Sequence, residues 1–86
     1  MEMKAKNKVF ILIIEHRHGT DVWAHSTREK AEESLEKYVM GWWEEEMDSE
    51  MPTEMQMWDK ITEYFDKVEN ENWRITELEI DEFFSF

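Results

Sequence analysis

The chain has 86 residues, no cysteine and a formal net charge of −12, which arises from 22 acidic and ten basic side chains. A chain of this length has a thin hydrophobic core, so we expect a single domain over residues 1–86. The lack of cysteine excludes a disulfide framework, a thiolate metal site and a cysteine nucleophile. The negative charge argues against direct binding to nucleic acid or to an anionic membrane, and it favours a basic protein surface as the partner.

The first part of the chain predicts a β-hairpin over residues 8–25. The apolar, β-branched run at 9–14 indicates a buried strand over 8–16, and a turn at 17–21 leads to a second strand at 22–25. The apolar run has six residues, whereas a secretory signal needs about 7–15 and a membrane helix about 20. We therefore expect a cytoplasmic protein that makes no membrane contact.

Two amphipathic helices are predicted after the hairpin. Ser26 and Glu29 match a capping box, with Ser26 as the N-cap, and they predict a helix over residues 27–46. The apolar positions of this helix recur every three or four residues and share one face: Ala31, Leu35, Tyr38, Val39 and Trp42. After a linker, Pro52 suits the first turn of a second helix over 52–69.

The last segment predicts a third strand near residues 72–80, because β-favouring side chains there alternate with polar ones. The element order is then ββααβ, which indicates an α+β fold. We expect a three-stranded antiparallel sheet with both helices packed on one face. The first strand is the most apolar, so we place it at the centre of the sheet with the last strand beside it.

Three histidines of the hairpin suggest a metal site. His16 and His18 share one side of an extended strand, and the hairpin is expected to bring His25 within a few residues of them. Together with Asp21 or Glu15, these imidazoles could bind zinc. The alternative is that they are solvated residues of a turn. Since no HExxH motif and no second cluster accompanies them, we expect no metal and no other cofactor.

The sequence carries no signature of an enzyme. There is no GxSxG motif, no phosphate-binding loop and no GxGxxG motif, and the chain has only two glycines. Ser26 is explained as a helix cap rather than as a nucleophile. A pair of catalytic carboxylates would need a cleft, for which a domain of this size has little room. We therefore expect a binding protein and not an enzyme.

Acidic residues are concentrated between residues 44 and 71. This segment contains eleven acidic residues and two basic ones, Lys60 and Lys67, and its net charge is −9. Carboxylates three or four residues apart on a helix lie about 5–6 Å from one another, which is similar to the spacing of phosphates along a nucleic-acid strand. The predicted partner-binding residues are Glu44, Glu45, Glu46, Asp48, Glu50, Asp59, Glu63 and Asp66, with Trp43 and Met47 as apolar anchors. The alternative is a solvated face that keeps the domain soluble.

Small size, high acidity, lack of cysteine and a ββααβ plan resemble the phage- and mobile-element-encoded inhibitors of host defence, the anti-CRISPR proteins among them. Several such proteins act as nucleic-acid mimics. The resemblance rests on the acidic residues between 44 and 71. It implies an inhibitor whose acidic face occupies the basic nucleic-acid-binding site of a partner protein.

The alternative function is a structural interaction module or a homodimer, in which acidity serves solubility. Its interface would be an exposed strand edge or a surface of methionine and tryptophan, side chains that are common at binding surfaces. The residues that could form this second surface are Met40, Trp43, Met47, Met51, Met55 and Met57. Ordinary core packing would explain the same side chains equally well.

Overall fold

The five predicted elements are present in a computed structural model of the chain, which describes residues 7–80. They are strands β1 (Asn7–His16) and β2 (Gly19–His25), helices α1 (Arg28–Met47) and α2 (Met57–Lys67), and strand β3 (Asn72–Ile80). The order ββααβ and the antiparallel pairing confirm the predicted α+β fold. Residues 1–6 and 81–86 of the predicted domain lie outside the described range.

Strand β1 is the centre of the sheet, whose strand order is β2-β1-β3. Its β-branched run contains no glycine or proline, so it can form hydrogen bonds along both of its edges. Leu12 lies opposite Trp23 of β2 and Ile75 of β3, and these three side chains therefore share one face of the sheet. The predicted central position of the first strand is confirmed.

The hairpin turn is shorter than the sequence predicts, because β2 begins at Gly19 rather than at residue 22. The turn itself consists of Arg17 and His18. His16 pairs with Gly19, whose φ of 131° lies in the region that favours glycine. The short turn extends the pairing as far as His16 and fixes which residues face one another along the hairpin.

Helix α1 covers one face of the sheet, and Leu12 and Ile14 are fully buried in the core that it shares with the sheet. The buried residues of α1 recur at every fourth position: Ala31, Leu35, Val39 and Trp43. This spacing puts Trp43 in the core at 2% exposure and leaves Trp42 on the flank at 37%. The prediction that placed Trp42 on the core face is therefore wrong. The indole N–H of Trp43 finds no acceptor within residues 7–80.

The N-terminus of α1 lies one residue beyond the predicted cap. Thr27 is the N-cap in place of Ser26, since its backbone is extended and its Oγ1 accepts the backbone N–H of Lys30 at 3.1 Å. The helix ends at Met47, and the next residue, Asp48, is its C-cap: a left-handed backbone conformation lets the Asp48 N–H donate to the carbonyl of Glu44. The capping-box pattern predicted the helix correctly, but the hydroxyl that caps it belongs to Thr27 and not to Ser26.

Helix α2 begins at Met57 rather than at the predicted Pro52. Met51 and Met55, in the linker before it, pack against the core. Gln56, the residue immediately before the helix, has an extended backbone. Burial of the linker methionines thus outweighs the local helical signal around Pro52.

The inner side of α2 packs against α1 and contributes Ile61 and Tyr64 to the core, and Val68, immediately after the helix, is buried there as well. Lys60 is also buried, at 8% exposure, and its ammonium group donates to the Glu36 carboxylate of α1 at 2.8 Å. A buried charge is tolerated when it is paired in this way. The ion pair joins the two helices and occupies one of the two lysines between residues 44 and 71.

The opposite face of the sheet, which we term the open sheet face, has no helix of the described range packed over it. Its residues follow from strand alternation: Val9, Ile11, Ile13, Glu15, Thr20, Val22, Ala24, Asn72, Arg74, Thr76 and Leu78. Val22 is 60% exposed and Leu78 is 49% exposed. The side chains of Glu15 and Arg74 form no ion pair with any residue in 7–80.

Candidate functional site

The predicted acidic residues are carried by both helices and by the loop that joins them. We refer to them together as the acidic surface: Glu44, Glu45, Glu46, Asp48, Glu50, Asp59, Glu63 and Asp66. Glu46 and Glu63 are half-buried, and the other six are exposed. The structure brings Asp59, Glu63 and Asp66 together along one shallow groove of α2, whereas the remaining members lie at the C-terminal end of α1 and just after it.

The two lysines between residues 44 and 71 compensate for only one carboxylate of the acidic surface, that of Glu63. Lys60 is buried against Glu36. Lys67 lies 3.8 Å from Glu63 on the same helix. Asp59 and Asp66 consequently form no ion pair within the described part of the chain. Exposed carboxylates without a partner retain their full charge toward solvent, so this part of α2 attracts basic surfaces.

The two predicted apolar anchors are not exposed beside these carboxylates. Trp43 lies in the core, so its predicted role as an anchor for a partner is wrong. Met47 is half-buried and packs against the core. The large apolar side chains that α1 does expose are Met40, at 42%, and Trp42, at 37%. The sequence could not separate Trp42 from Trp43, because adjacent tryptophans fit a helical period equally well.

A second feature is a small cavity at the closed end of the hairpin, which is lined by acidic, histidine and aromatic side chains and which we term the hairpin pocket. It has a volume of about 40 Å³ and is lined by His16, His18 and Asp21 of the hairpin, Tyr38, Trp42 and Glu46 of α1, and Glu71 next to β3. The sequence placed Glu46 in the acidic surface and grouped His16, His18 and Asp21 as possible metal ligands, but it placed Tyr38, Trp42 and Glu71 in neither site. The others belong to distant segments that meet through the fold.

The side chain of His16 is held in one tautomer. Its Nδ1 accepts the backbone N–H of His18 at 3.2 Å, and a backbone N–H can act only as a donor. The proton of the neutral ring is therefore on Nε2, which donates to Oδ2 of Asp21 at 2.9 Å. The two contacts tie the hairpin turn together and leave Asp21 as a carboxylate that accepts one hydrogen bond from the ring.

Glu71 is the shared acceptor of two tyrosines. The hydroxyls of Tyr38 and Tyr64 both donate to Oε1 of Glu71, at 2.8 and 3.0 Å. Burial raises the pKa of both tyrosines above the ordinary value of 10.0, and the hydrogen bond to Glu71 raises each pKa further. The second carboxylate oxygen of Glu71 accepts no hydrogen bond from the described residues.

Aromatic rings form one wall of the hairpin pocket. The ring of Tyr38 lies 6.2 Å from the ring of His16 and 6.4 Å from the ring of Trp42, measured between centroids. On its other side, Tyr38 stacks on Phe65 of α2 with an angle of 13° between the ring planes. The stack fixes the orientation of Tyr38, while Trp42 remains partly exposed at the pocket.

The hairpin pocket carries an excess of negative charge. Asp21, Glu46 and Glu71 contribute three carboxylates. Arg17 lies 3.0 Å from Glu46 and compensates for one of the three. Carboxylates beside aromatic ring faces attract cations and repel anions. The pocket is thus chemically suited to a small cationic group.

The hairpin histidines do not come together as the metal hypothesis requires. His25 pairs with Phe10 at the far end of the hairpin, whereas His16 pairs with Gly19 at the turn. The separation along the strand is about 20 Å, at roughly 3.3 Å per residue, and His25 lies instead 2.8 Å from the hydroxyl of Ser34. Within residues 7–80, no group of three histidine, cysteine, aspartate or glutamate side chains could hold a metal ion.

Comparison of the chain with protein-family models, with characterised proteins and with solved structures gave no match. Neither α1 nor α2 combines the length and the hydrophobicity that a membrane crossing requires.

Proposed function

We propose that this chain is a binding protein that inhibits a nucleic-acid-handling partner by occupying its basic site with the acidic surface. The observation that supports this function most is the absence of neutralising partners for Asp59 and Asp66 within residues 7–80, although two lysines lie nearby in sequence. A fold that needed these carboxylates for its own stability would pair them. Self-repulsion among them costs stability, and a basic partner offsets that cost.

The placement of these carboxylates on a helix supports mimicry of a phosphate backbone. Asp59, Glu63 and Asp66 lie three and four residues apart along α2, which sets their spacing at about 5–6 Å. Because α2 packs on α1 through its buried side, the groove that contains the three carboxylates is open to a partner. Association driven by such charges is fast, and it weakens as salt screens them.

The test is capture of the partner by the full chain, followed by competition with duplex DNA and with single-stranded RNA. We expect captured protein to be released by nucleic acid and its affinity to fall roughly tenfold or more between low and high salt. The variant Asp59→Lys/Asp66→Lys should abolish capture. A partner that holds nucleic acid and this chain at the same time would contradict mimicry.

A matched control separates the acidic surface from total charge. Glu29 and Glu33 are exposed on the N-terminal half of α1 and form no ion pair within the described range. The variant Glu29→Lys/Glu33→Lys changes the net charge by the same amount as Asp59→Lys/Asp66→Lys. We expect it to retain capture. Equal loss in both variants would show that the partner senses net charge and not this surface.

The open sheet face favours a second candidate function, a homodimer. Val22 and Leu78 expose apolar surface there, and the face carries one acid, Glu15, and one base, Arg74, with no ion pair inside residues 7–80. Two copies related by a two-fold axis could cover this apolar surface and exchange Glu15–Arg74 pairs, while both acidic surfaces remain outside.

Sedimentation equilibrium at two ionic strengths tests the homodimer. Apolar association persists or strengthens in high salt, so we expect a dimer under both conditions. Val22→Glu should yield monomer, whereas Thr62→Glu, an exposed position on α2, should leave the dimer intact. A monomer at both ionic strengths would contradict the second candidate.

A further inference from the structure

We propose that the hairpin pocket is a receptor for a guanidinium group, supplied by an arginine side chain of the basic partner. The identity of the arginine's source rests on the proposed function, whereas the affinity of the pocket for guanidinium can be measured without any partner. The proposal gives the interface a defined anchor point in addition to the diffuse attraction of the acidic surface.

The size of the pocket suits the head of an arginine. A single bound water needs roughly 10–15 Å³, so the volume of about 40 Å³ accommodates a group of three or four heavy atoms. A guanidinium has one carbon and three nitrogens in a plane. The aliphatic stem of the arginine lies outside the pocket in this arrangement.

The unused acceptors of the pocket match guanidinium donors. Oε1 of Glu71 is taken by two tyrosine hydroxyls, and its Oε2 is without a hydrogen bond from residues 7–80. Asp21 is bound through Oδ2 to the ring of His16. The fork of N–H groups on a guanidinium is suited to carboxylate oxygens in fixed positions, because it binds them with little further loss of conformational entropy.

The aromatic wall favours a planar cation. Trp42 and Tyr38 lie with ring centroids 6.4 Å apart, and Trp42 is 37% exposed at the pocket. A guanidinium stacks on such rings and is less strongly hydrated than an ammonium group, so it gives up water more readily on entry. At the rim, the guanidinium of Arg17 already forms an ion pair with the carboxylate of Glu46. A guanidinium is thus bound at this rim within the chain itself.

The pocket and the acidic surface share Glu46. This residue lies on α1 next to Glu44 and Glu45, so an arginine that enters the pocket brings its own chain against the exposed end of α1. Arginine is also the basic side chain that proteins use for bidentate phosphate contacts. A partner whose arginine normally holds a phosphate would therefore present the group that the pocket accepts.

The first test is a titration of the full chain with methylguanidinium chloride, followed by amide chemical shifts, with methylammonium chloride and sodium chloride as parallel titrations. We expect saturable shifts confined to the residues around the pocket, and weaker binding of methylammonium. Non-saturable shifts spread over the acidic surface, or equal shifts with sodium chloride, would overturn the proposal.

Two pairs of variants locate the binding. Trp42→Ala removes the aromatic wall, and Trp58→Ala removes a tryptophan of α2 with nearly the same exposure, 40%. Glu71→Gln keeps an oxygen for the tyrosines but removes the charge, and Glu33→Gln removes an exposed charge elsewhere on α1. We expect the first member of each pair to weaken methylguanidinium binding about tenfold and the second to leave it unchanged. Unchanged binding in both Trp42→Ala and Glu71→Gln would overturn the proposal.

Failure of this inference can be told apart from failure of the proposed function. If Trp42→Ala loses methylguanidinium but captures the partner with unchanged affinity, the partner's arginine does not use the pocket, and this inference is overturned while the acidic surface stands. If Trp42→Ala weakens capture as strongly as it weakens methylguanidinium binding, the inference is supported. Loss of capture in Asp59→Lys/Asp66→Lys tests only the acidic surface, since neither residue lines the pocket.

Discussion

The carboxylates of the hairpin pocket and those of helix α2 are in opposite situations. Asp21 holds the ring of His16, Glu46 holds Arg17, and Glu71 holds the hydroxyls of two tyrosines. Asp59 and Asp66 form no ion pair within residues 7–80. The pocket carboxylates therefore stabilise the fold through these contacts. The α2 carboxylates instead lower its stability, because they repel one another and no contact within the fold offsets that repulsion. We expect the stability of the fold to depend on the first set and not on the second, and the long-range attraction of a basic partner to depend on the second.

The largest expected effect on stability within this comparison is that of Glu71→Ala. The substitution leaves the hydroxyls of Tyr38 and Tyr64 without their acceptor, and an unsatisfied buried hydroxyl costs about 1–3 kcal/mol. We expect a loss of about 2–4 kcal/mol in the free energy of unfolding, measured by urea denaturation. Glu71→Gln retains an acceptor oxygen and should cost less than half as much.

Asp66→Ala is the matched control for this measurement, because it truncates an exposed carboxylate that has no ion pair in the described range. Its effect should stay within about 0.5 kcal/mol. Equal losses from Glu71→Ala and Asp66→Ala would show that the two sets of carboxylates do not differ in their contribution to the fold.

A further effect is expected at alkaline pH, where the two tyrosines of the chain, both bound to Glu71, report on the pocket. Their folded-state pKa lies above the ordinary value of 10.0, so the unfolded chain loses these protons first as pH rises. Their contribution to stability is complete below pH 10 and is lost above it, by at most about 1.4 kcal/mol per pH unit for each tyrosine.

Tyrosinate absorbance measures this directly. Folded protein at a pH just above 10 should show almost no tyrosinate, and both tyrosines should ionise together with unfolding. Tyr38→Phe removes one titrating group and should halve the slope of stability against pH. Ionisation of either tyrosine near pH 10 while the protein remains folded would contradict the shared role of Glu71.

The elements that the sequence predicted correctly are those encoded by neighbouring residues. The β-branched run of β1 and the helical period through Leu35 and Val39 each lie within one segment, so local pattern was sufficient. The turn was predicted in the right place but too long, since β2 begins at Gly19 and not at residue 22. The start of α2 was predicted too early, because burial of Met51 and Met55 depends on a core that no local pattern describes.

The acidic surface was likewise visible in composition, whereas the hairpin pocket was visible only in part, through the grouping of His16, His18 and Asp21. The pocket joins residues from 16 to 71, and only the register of the hairpin and the packing of α1 on the sheet bring them together. A further signal was present: Tyr38 and Tyr64 fall on apolar helix faces, and a buried tyrosine hydroxyl needs a hydrogen-bond partner. A search for that partner would have pointed to an acidic residue outside the two helices.

The smallest effect on stability is expected from reversing the two unpaired charges on α2. Asp59→Lys/Asp66→Lys should change the free energy of unfolding by no more than about 0.5 kcal/mol, although it alters the net charge by four units, because both side chains are exposed and neither forms an ion pair within residues 7–80. The change can even be stabilising, since it relieves repulsion along the helix, and any gain should shrink in high salt. Urea denaturation at two ionic strengths measures both quantities. A salt-independent loss above about 1 kcal/mol would mean that these carboxylates stabilise the fold through contacts, and the reason for assigning them to a partner would disappear.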